Sequence, residues 1–317
     1  MFHKLHNKNS KNEYVWCYKY KPEKLSDLIL LDKHKQRFEK IVQTRHLPDT
    51  LLYGNAGVGK TSLVNVLKNE LDLDMLYING SLDTSIDIIR GMVSDFTRRS
   101  SDKQKCVFID EGEKLSSSAM DALKAELELC KKTSFIFATN HIEKIIDPLI
   151  SRCGGGISFF YSNEQKKELQ KKYYKRCCEI LEFENVQYDP KAVAKVVQRR
   201  FPDMRNTIHD LQSLYDQFEK IDLKNVDSLI FNLDEFFELI KSKNFDKIRY
   251  YVANLTLTNH TQIYSAIVNR IENYIGSNSI SDVIDSCYEH AKTASQAIDP
   301  SLVLVHFCVS LMRCEIL

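Results

Sequence analysis

Short apolar runs alternate along the first half of the chain with longer segments whose apolar residues recur every three or four positions. Thr50–Tyr53, Met75–Asn79, Cys106–Ile109 and Ser134–Ala138 have the length and content of strands. Asp32–Thr44, the stretch through Leu63, Val64, Leu67 and Leu71, Ser85–Phe96 and Leu115–Leu129 read as helices. The strands are apolar at consecutive rather than alternate positions, so both of their faces must be covered. Strands alternating with helices then predict an α/β domain, a parallel sheet with helices on both faces. Such sheets bind ligands beyond the carboxyl ends of their strands. Polar clusters follow three of the runs: Gly54–Thr61, Asp110-Glu111 and Thr139-Asn140.

Past Tyr161 the strand pattern nearly vanishes. Gly154-Gly155-Gly156 marks a hinge, and Ser162–Leu181 reads as a long charged helix. Asp189-Pro190 supplies an N-cap and a first-turn proline to the next helix, and Asp203 caps a third. From about Asp227 a helical block follows. In it Ile263, Ile267, Ile271, Tyr274 and Ile275 form one apolar face, and Leu304, Cys308 and Leu311 another. The expected division is a flexible polar tail over 1–13, an α/β domain over 14–160, a small helical lid domain over 161–226 and an all-α C-terminal domain over 227–317.

Lysine and arginine total 44 against 43 acidic residues, a net charge of +1. Any nucleic-acid contact must therefore come from a local basic face rather than from bulk attraction. The nine cysteines lack the paired spacing of a zinc site and read as reduced, mostly buried thiols. The polar, lysine-rich start has no signal-peptide pattern. The longest apolar stretch, Leu302–Val309, is interrupted by His306 and is too short to cross a bilayer. A soluble, intracellular protein with no membrane partner is expected.

Gly54-Asn55-Ala56-Gly57-Val58-Gly59-Lys60-Thr61 is a complete phosphate-binding loop between a strand and a helix. Its glycines let successive backbone N–H groups point at a phosphate, at the positive end of the helix that follows. Lys60 would reach the β- and γ-phosphates and the Thr61 hydroxyl would ligate magnesium; Ser62 counts with the same nucleotide-binding set. Asp110-Glu111 ends an apolar strand, where acidic residues are often only solvated. With the phosphate loop upstream, Asp110 is assigned to the magnesium shell and Glu111 to polarising the attacking water. Asn140 ends the next strand and, in company with those clusters, is placed to hold water or the γ-phosphate rather than merely to form a turn. Arg152, in Ser151-Arg152-Cys153, is either a surface charge or an arginine finger for a neighbouring subunit; the residues alone leave both open. Arg205 falls in the first turn of the helix capped by Asp203, where a cation opposes the helix dipole unless it meets an anion such as ATP phosphate.

The ordered set Lys19-Tyr20-Lys21-Pro22, Gly54–Thr61, Asp110-Glu111, Asn140, Ser151-Arg152-Cys153 and Phe201-Pro202-Asp203-Met204-Arg205 resembles clamp-loader ATPase subunits of the AAA+ class, over about Trp16 to Leu214. The segments Asn79-Gly80-Ser81 and Ile88-Ile89-Arg90-Gly91 make it look most like the ATPase subunit of T-even-type phage clamp loaders. The resemblance implies Asn140 as first sensor, Arg205 as second, Arg152 as a finger acting in trans, and Tyr20 to Pro22 enclosing adenine. It implies ATP and Mg2+ as cofactors. It also implies a C-terminal collar that self-associates, as four copies with one different loader subunit, around a sliding clamp and primer-template DNA. Under it the protein would work in the cytoplasm, the host's if its origin is viral. Arg90 and Lys124 fall on positions that resemble DNA-backbone contacts, and Arg98, Arg99, Lys103 and Lys105 form a basic cluster nearby, as either a DNA-facing or a merely solvated face.

Three positions depart from that pattern. Lys21 replaces a usual arginine, Met120 a glutamine that couples subunits, and glycines follow Cys153 in place of a bulkier residue. Two other functions compete: another DNA-remodelling AAA+ enzyme (a helicase loader or a branch-migration motor), or a non-hydrolysing scaffold subunit. A scaffold typically loses the loop lysine or the acidic pair, whereas Lys60, Asp110 and Glu111 are all present.

Overall fold

The computed structural model describes residues 14–82, 86–228, 231–255, 260–294, 296–297 and 299–317. The expected tail over 1–13, and Ser85 at the start of one expected helix, lie outside these residues. The chain divides into two compact units, Met1–Asn185 with Val196–Gln212, and Val186–Lys195 with Ser213–Leu317.

The first unit is built on five strands, β1 (Thr50–Tyr53), β2 (Asp74–Asn79), β3 (Lys105–Asp110), β4 (Thr133–Thr139) and β5 (Ile157–Ser158). They form a parallel sheet in the order β2-β3-β4-β1-β5. Its helices are α1 (Trp16–Lys19), α2 (Asp32–Thr44), α3 (Lys60–Leu71), α4 (Ile86–Arg98), α5 (Ser117–Leu129), α6 (Asp147–Arg152) and α7 (Asn163–Phe183). The strand period of two divides the sheet cleanly. Leu52, Cys106, Phe108, Ile136 and Ala138 pack on one face with Phe38 of α2 and Leu63, Val64 and Leu67 of α3. Leu51, Val107, Ile109, Phe135 and Phe137 pack on the other with Ile89 and Val93 of α4 and Ala119 and Leu123 of α5. This is the doubly covered sheet that the consecutive apolar positions predict. β5 was not expected: two residues are too short to carry a pattern, and the strand exists because Leu52 and Tyr53 offer it a pairing edge.

Register brings the chemistry to one end. Tyr53 pairs with Thr139 and Ile109 with Phe137, so Gly54, Asp110 and Asn140 all leave the sheet at its carboxyl edge. The three glycines after Cys153 have φ of 62°, 80° and 82°, and Gly155 N–H closes back on Ile150 O at 3.0 Å. They terminate α6 in the left-handed region and return the chain to β5, where a β-carbon on Gly156 would press against Tyr53 and Leu51. The turn itself requires glycine at these positions.

Further along are α8 (Pro190–Arg200) and α9 (Met204–Phe218), each beginning where its aspartate predicts. Asp189 Oδ1 accepts the Lys191 N–H at 2.8 Å and Asp203 Oδ1 the Asn206 N–H at 3.0 Å. In the second unit β6 (Gln187–Tyr188) and β7 (Lys220–Ile221) form a short parallel pair that the sequence does not announce. The remaining helices are α10 (Leu223–Ser228), α11 (Leu233–Lys241), α12 (Phe245–Asn254), α13 (His260–Val268), α14 (Ile280–Ala294) and α15 (Pro300–Leu311). Ile263, Ile267, Ile271, Ile275, Leu304, Cys308 and Leu311 share one buried core, as their spacing predicts. All nine cysteines are free, and burial pushes the thiols of Cys106, Cys153, Cys287 and Cys308 up to about 12, which keeps them protonated and unreactive. Among the described residues no helix is long and apolar enough to cross a membrane.

Of the basic cluster near α4, Lys105 is spent inside the fold, whereas Arg99 and Lys103 make ion pairs at the surface. Arg99 pairs with Asp74 at 2.5 Å and Lys103 with Asp72 at 2.7 Å. Lys105 is buried, and its ammonium donates to the carbonyls of Phe96 (3.0 Å), Thr97 (2.9 Å) and Arg99 at the C-terminal end of α4. A cation there meets the negative end of the helix dipole. Lys105→Ala should therefore lower the unfolding free energy in urea by about 2 kcal/mol, since it strands those carbonyls. A solvated lysine would give under about 0.5 kcal/mol in the same titration.

Candidate functional site

The loop after β1 can follow its path only with glycine at its bends. Gly54, Gly57 and Gly59 have φ of 151°, 74° and 94°. A β-carbon on Gly54 would lie 2.6 Å from the Phe159 β-carbon, and one on Gly57 would collide with the Asp203 carboxylate. The loop thus wraps back over the start of α3 and presents its N–H groups there.

Lys60, the first residue of α3, is 92% buried by its 8% exposure, and its ammonium is fully engaged. It donates to Gly54 O at 2.7 Å, Asn55 O at 2.8 Å and Asn140 Oδ1 at 2.8 Å. Burial pulls its pKa down to about 8, against the opposing pull of Asp110 and Glu113. Asn140 is oriented by Glu113, which accepts its side-chain N–H at 3.1 Å and its backbone N–H at 3.3 Å. Beside them the Thr61 hydroxyl donates to Asp110 Oδ2 at 2.9 Å. Burial raises the Asp110 carboxyl, so a cation next to it would be favoured. Glu111 stands in the left-handed region at φ 53°, with its carboxylate taken by the Ser81 hydroxyl. Gly80 lets the chain pass there, since a β-carbon would meet Glu111 O at 2.4 Å.

These groups open on a cavity of about 430 Å³, the size of a small-molecule site. Tyr20, Pro22, Ala56, Gly57, Val58, Gly59, Lys60, Thr61, Ser62, Asp110, Glu111, Asn140 and Arg205 all line it; Gly54 and Asn55 do not, and their carbonyls accept from Lys60. Arg205 sits in the first turn of α9, and the Met204 N–H ahead of it donates to Gly57 O at 3.3 Å, tying that helix start to the phosphate loop.

Three expected residues lie elsewhere. Arg152, at the end of α6, is half-exposed and pairs with Glu128 at 2.9 Å, outside the cavity. Arg90 is exposed on α4 and Lys124 half-buried on α5, and neither lines the cavity. Met120, the departure from a coupling glutamine, is a buried core residue under the sheet. Residue pattern alone missed Glu113, Ser81 and the Asp203 contact with Gly57. Glu113 was visible only as one more acid after Asp110-Glu111, and nothing in the spacing aims Asp203 at the loop.

Comparison with known proteins places this geometry. The ATPase family associated with various cellular activities (AAA) matches residues 50–161, and the AAA+ ATPase lid domain of the sliding-clamp-loader large subunit matches residues 165–224. The sliding-clamp-loader large subunit of Enterobacteria phage T4 is 31% identical over 76% of this chain and 77% of its own length. Replication factor C subunit 4 of Saccharomyces cerevisiae is 31% identical over 62% of each chain. The RuvB Holliday junction branch migration motor of Thermotoga maritima shares the fold with a TM-score of 0.53, over 90% of this chain and 91% of that one, at 18% identity.

The lowered pKa of Lys60 gives a pH dependence with a definite sign. A phosphate ligand favours the charged ammonium, so binding takes up a proton once the pH passes about 8. The dissociation constant for a nucleoside triphosphate should be level from pH 7 to about 8, then rise by up to about tenfold per pH unit. Equilibrium titration at constant ionic strength checks this; a level profile through pH 9.5 would mean that Lys60 does not supply the titrating charge.

Proposed function

Since the chain belongs to the sliding-clamp-loader large-subunit family of AAA+ ATPases, we propose that it binds ATP in this cavity and hydrolyses it to load a sliding clamp at primer-template junctions. The observation that carries the assignment is the meeting of Lys60, the Thr61–Asp110 pair, Glu111 and Asn140 at the carboxyl edge of one sheet. Lys60 would exchange its carbonyl partners for the β- and γ-phosphate oxygens. Thr61 and Asp110 offer hard oxygen ligands 2.9 Å apart, a donor set that suits magnesium. When bound, that ion neutralises charge on the phosphates. Glu111 would polarise the attacking water once its carboxylate leaves Ser81. Asn140, held by Glu113 and accepting from Lys60, would turn to water or the γ-phosphate as that ammonium moves to the phosphates, and Arg205 adds a cation from the start of α9. Tyr20 and Pro22 form the adenine side.

Arg152 fits the finger role in trans because it lies outside its own cavity on a surface pair worth little. The domain reading that goes with this is an ATPase domain over 14–160, a lid over 161–226 and a collar over 227–317. Four copies with one different subunit would assemble through the collar and act with clamp and DNA in the host cytoplasm. Arg90, exposed on α4, and Lys124 are the proposed DNA-backbone contacts.

The test is the steady-state ATPase rate of the assembled complex, with and without a sliding clamp and primed DNA. Strong stimulation that needs both supports the proposal; a rate indifferent to the clamp but raised by a four-way junction would replace it with a branch-migration motor. In the same assay Glu111→Gln should bind ATP normally and turn over about 10²- to 10⁴-fold more slowly. Arg152→Ala should retain ATP binding and lose about 10³-fold or more in turnover. Unchanged turnover of Arg152→Ala in the oligomer would rule out its role in trans.

A further inference from the structure

One side of the cavity is a strap of chain ahead of α2 that carries Tyr20 and Pro22. Its polar ties run to α3, where Glu70 accepts the Leu25 N–H at 2.7 Å, and to α7 and α9. Gln212 of α9 accepts the Trp16 N–H at 2.8 Å and donates to Tyr14 O at 2.7 Å. Lys172 of α7 donates to Leu30 O at 3.2 Å and pairs with Asp32 at 2.9 Å. Between these ties stands Glu184, the C-cap of α7, which accepts from Lys19 Nζ at 2.6 Å and from the Tyr20 hydroxyl.

Helix physics alone would not choose that position for Glu184. A carboxylate at a C-terminus faces the negative end of the helix dipole, and the last turn of α7 holds no basic residue to offset it. Two donors from the strap supply what the helix lacks, and the Glu184 side chain is left only 18% exposed. The Tyr20 ring is held on further sides, edge-on to Phe183 at 5.8 Å between centroids and with the Arg176 guanidinium 6.0 Å from its own centroid. Burial, together with Glu184, raises the Tyr20 pKa, so the phenol remains a donor.

We propose that Glu184 is a positioning residue for the nucleobase: by fixing the Tyr20 hydroxyl it sets the ring that borders the base, and so gives the site its preference for a nucleoside triphosphate over bare triphosphate. This rests on the reading of the cavity as the ATP site. Glu184 touches no substrate, and its effect on binding passes through Tyr20. A ring released from that anchor would have to be ordered at each binding event, which weakens base contact and leaves the phosphate contacts of the loop unchanged.

The experiment compares dissociation constants for ATP and for tripolyphosphate, both with magnesium, on the full chain carrying Glu184→Ala, Glu184→Gln or Tyr20→Phe. Removing an acid from a helix C-terminus does not threaten α7, so Glu184→Ala should fold. It should weaken ATP about tenfold and tripolyphosphate less than about twofold. Tyr20→Phe should reproduce that selective loss. Glu184→Gln keeps an acceptor for the hydroxyl while losing the charge pair with Lys19, and should recover most of the ATP affinity. Equal losses for both ligands, or unchanged ATP affinity in Glu184→Ala, would overturn the positioning role. Wild-type protein that binds tripolyphosphate as tightly as ATP would overturn the adenine-site reading itself, and the proposal with it.

Discussion

A buried ammonium needs partners on every side, and the site is organised around that requirement at Lys60. Its three acceptors come from Gly54 and Asn55 in the loop and from Asn140 at the end of β4, residues joined only by the pairing of β1 with β4. Losing any one acceptor would leave a desolvated charge underpaired, which costs more than an ordinary hydrogen bond contributes. The same partners make Lys60 ready for phosphate. Carbonyl and amide oxygens hold the charge weakly enough that burial has already pulled its pKa down to about 8, and a polyanion would restore it.

Around that ammonium, the polar side chains on the cavity hold one another or are held by a neighbour. Glu113 turns Asn140, Asp110 holds Thr61, and Ser81 holds Glu111. The start of α9 is set against the loop by the Met204–Gly57 hydrogen bond and by the Asp203 carboxylate, which fits only because residue 57 has no β-carbon. That places Arg205 on the cavity at a helix N-terminus, where the dipole and an anionic ligand would act on a cation in opposite directions. The strap and α7 close another side of the cavity in the same manner, with Glu184 behind Tyr20.

The charged residues divide by what they can do alone. Lys105 is buried on three carbonyls within its own unit and serves its stability, whereas Arg99 and Lys103 sit in exposed pairs. Arg152 pairs in the open with Glu128 in the same way, and screening and side-chain entropy leave such pairs weak. Burial separates the structural cation Lys105 from the surface ones, and charge counting along the sequence cannot see it.

Local pattern was enough for the sheet, its covered faces and the phosphate loop. Consecutive apolar positions in Cys106–Ile109 and Ser134–Ala138 demand cover on both sides, and the glycine spacing of Gly54–Thr61 is itself a backbone geometry. The caps at Asp189 and Asp203 were legible for the same reason, since a cap acts within three residues. What depends on residues distant in sequence was not legible: β5, which exists only as a partner for β1; Glu113 and Ser81; the burial of Lys105; and Glu184 on Tyr20. The sequence by itself determined which groups are candidates for chemistry, because residue types and short spacings carry that pattern. Only the tertiary structure decided which of them are held, turned or spent elsewhere, because hydrogen bonds and burial follow distance in space.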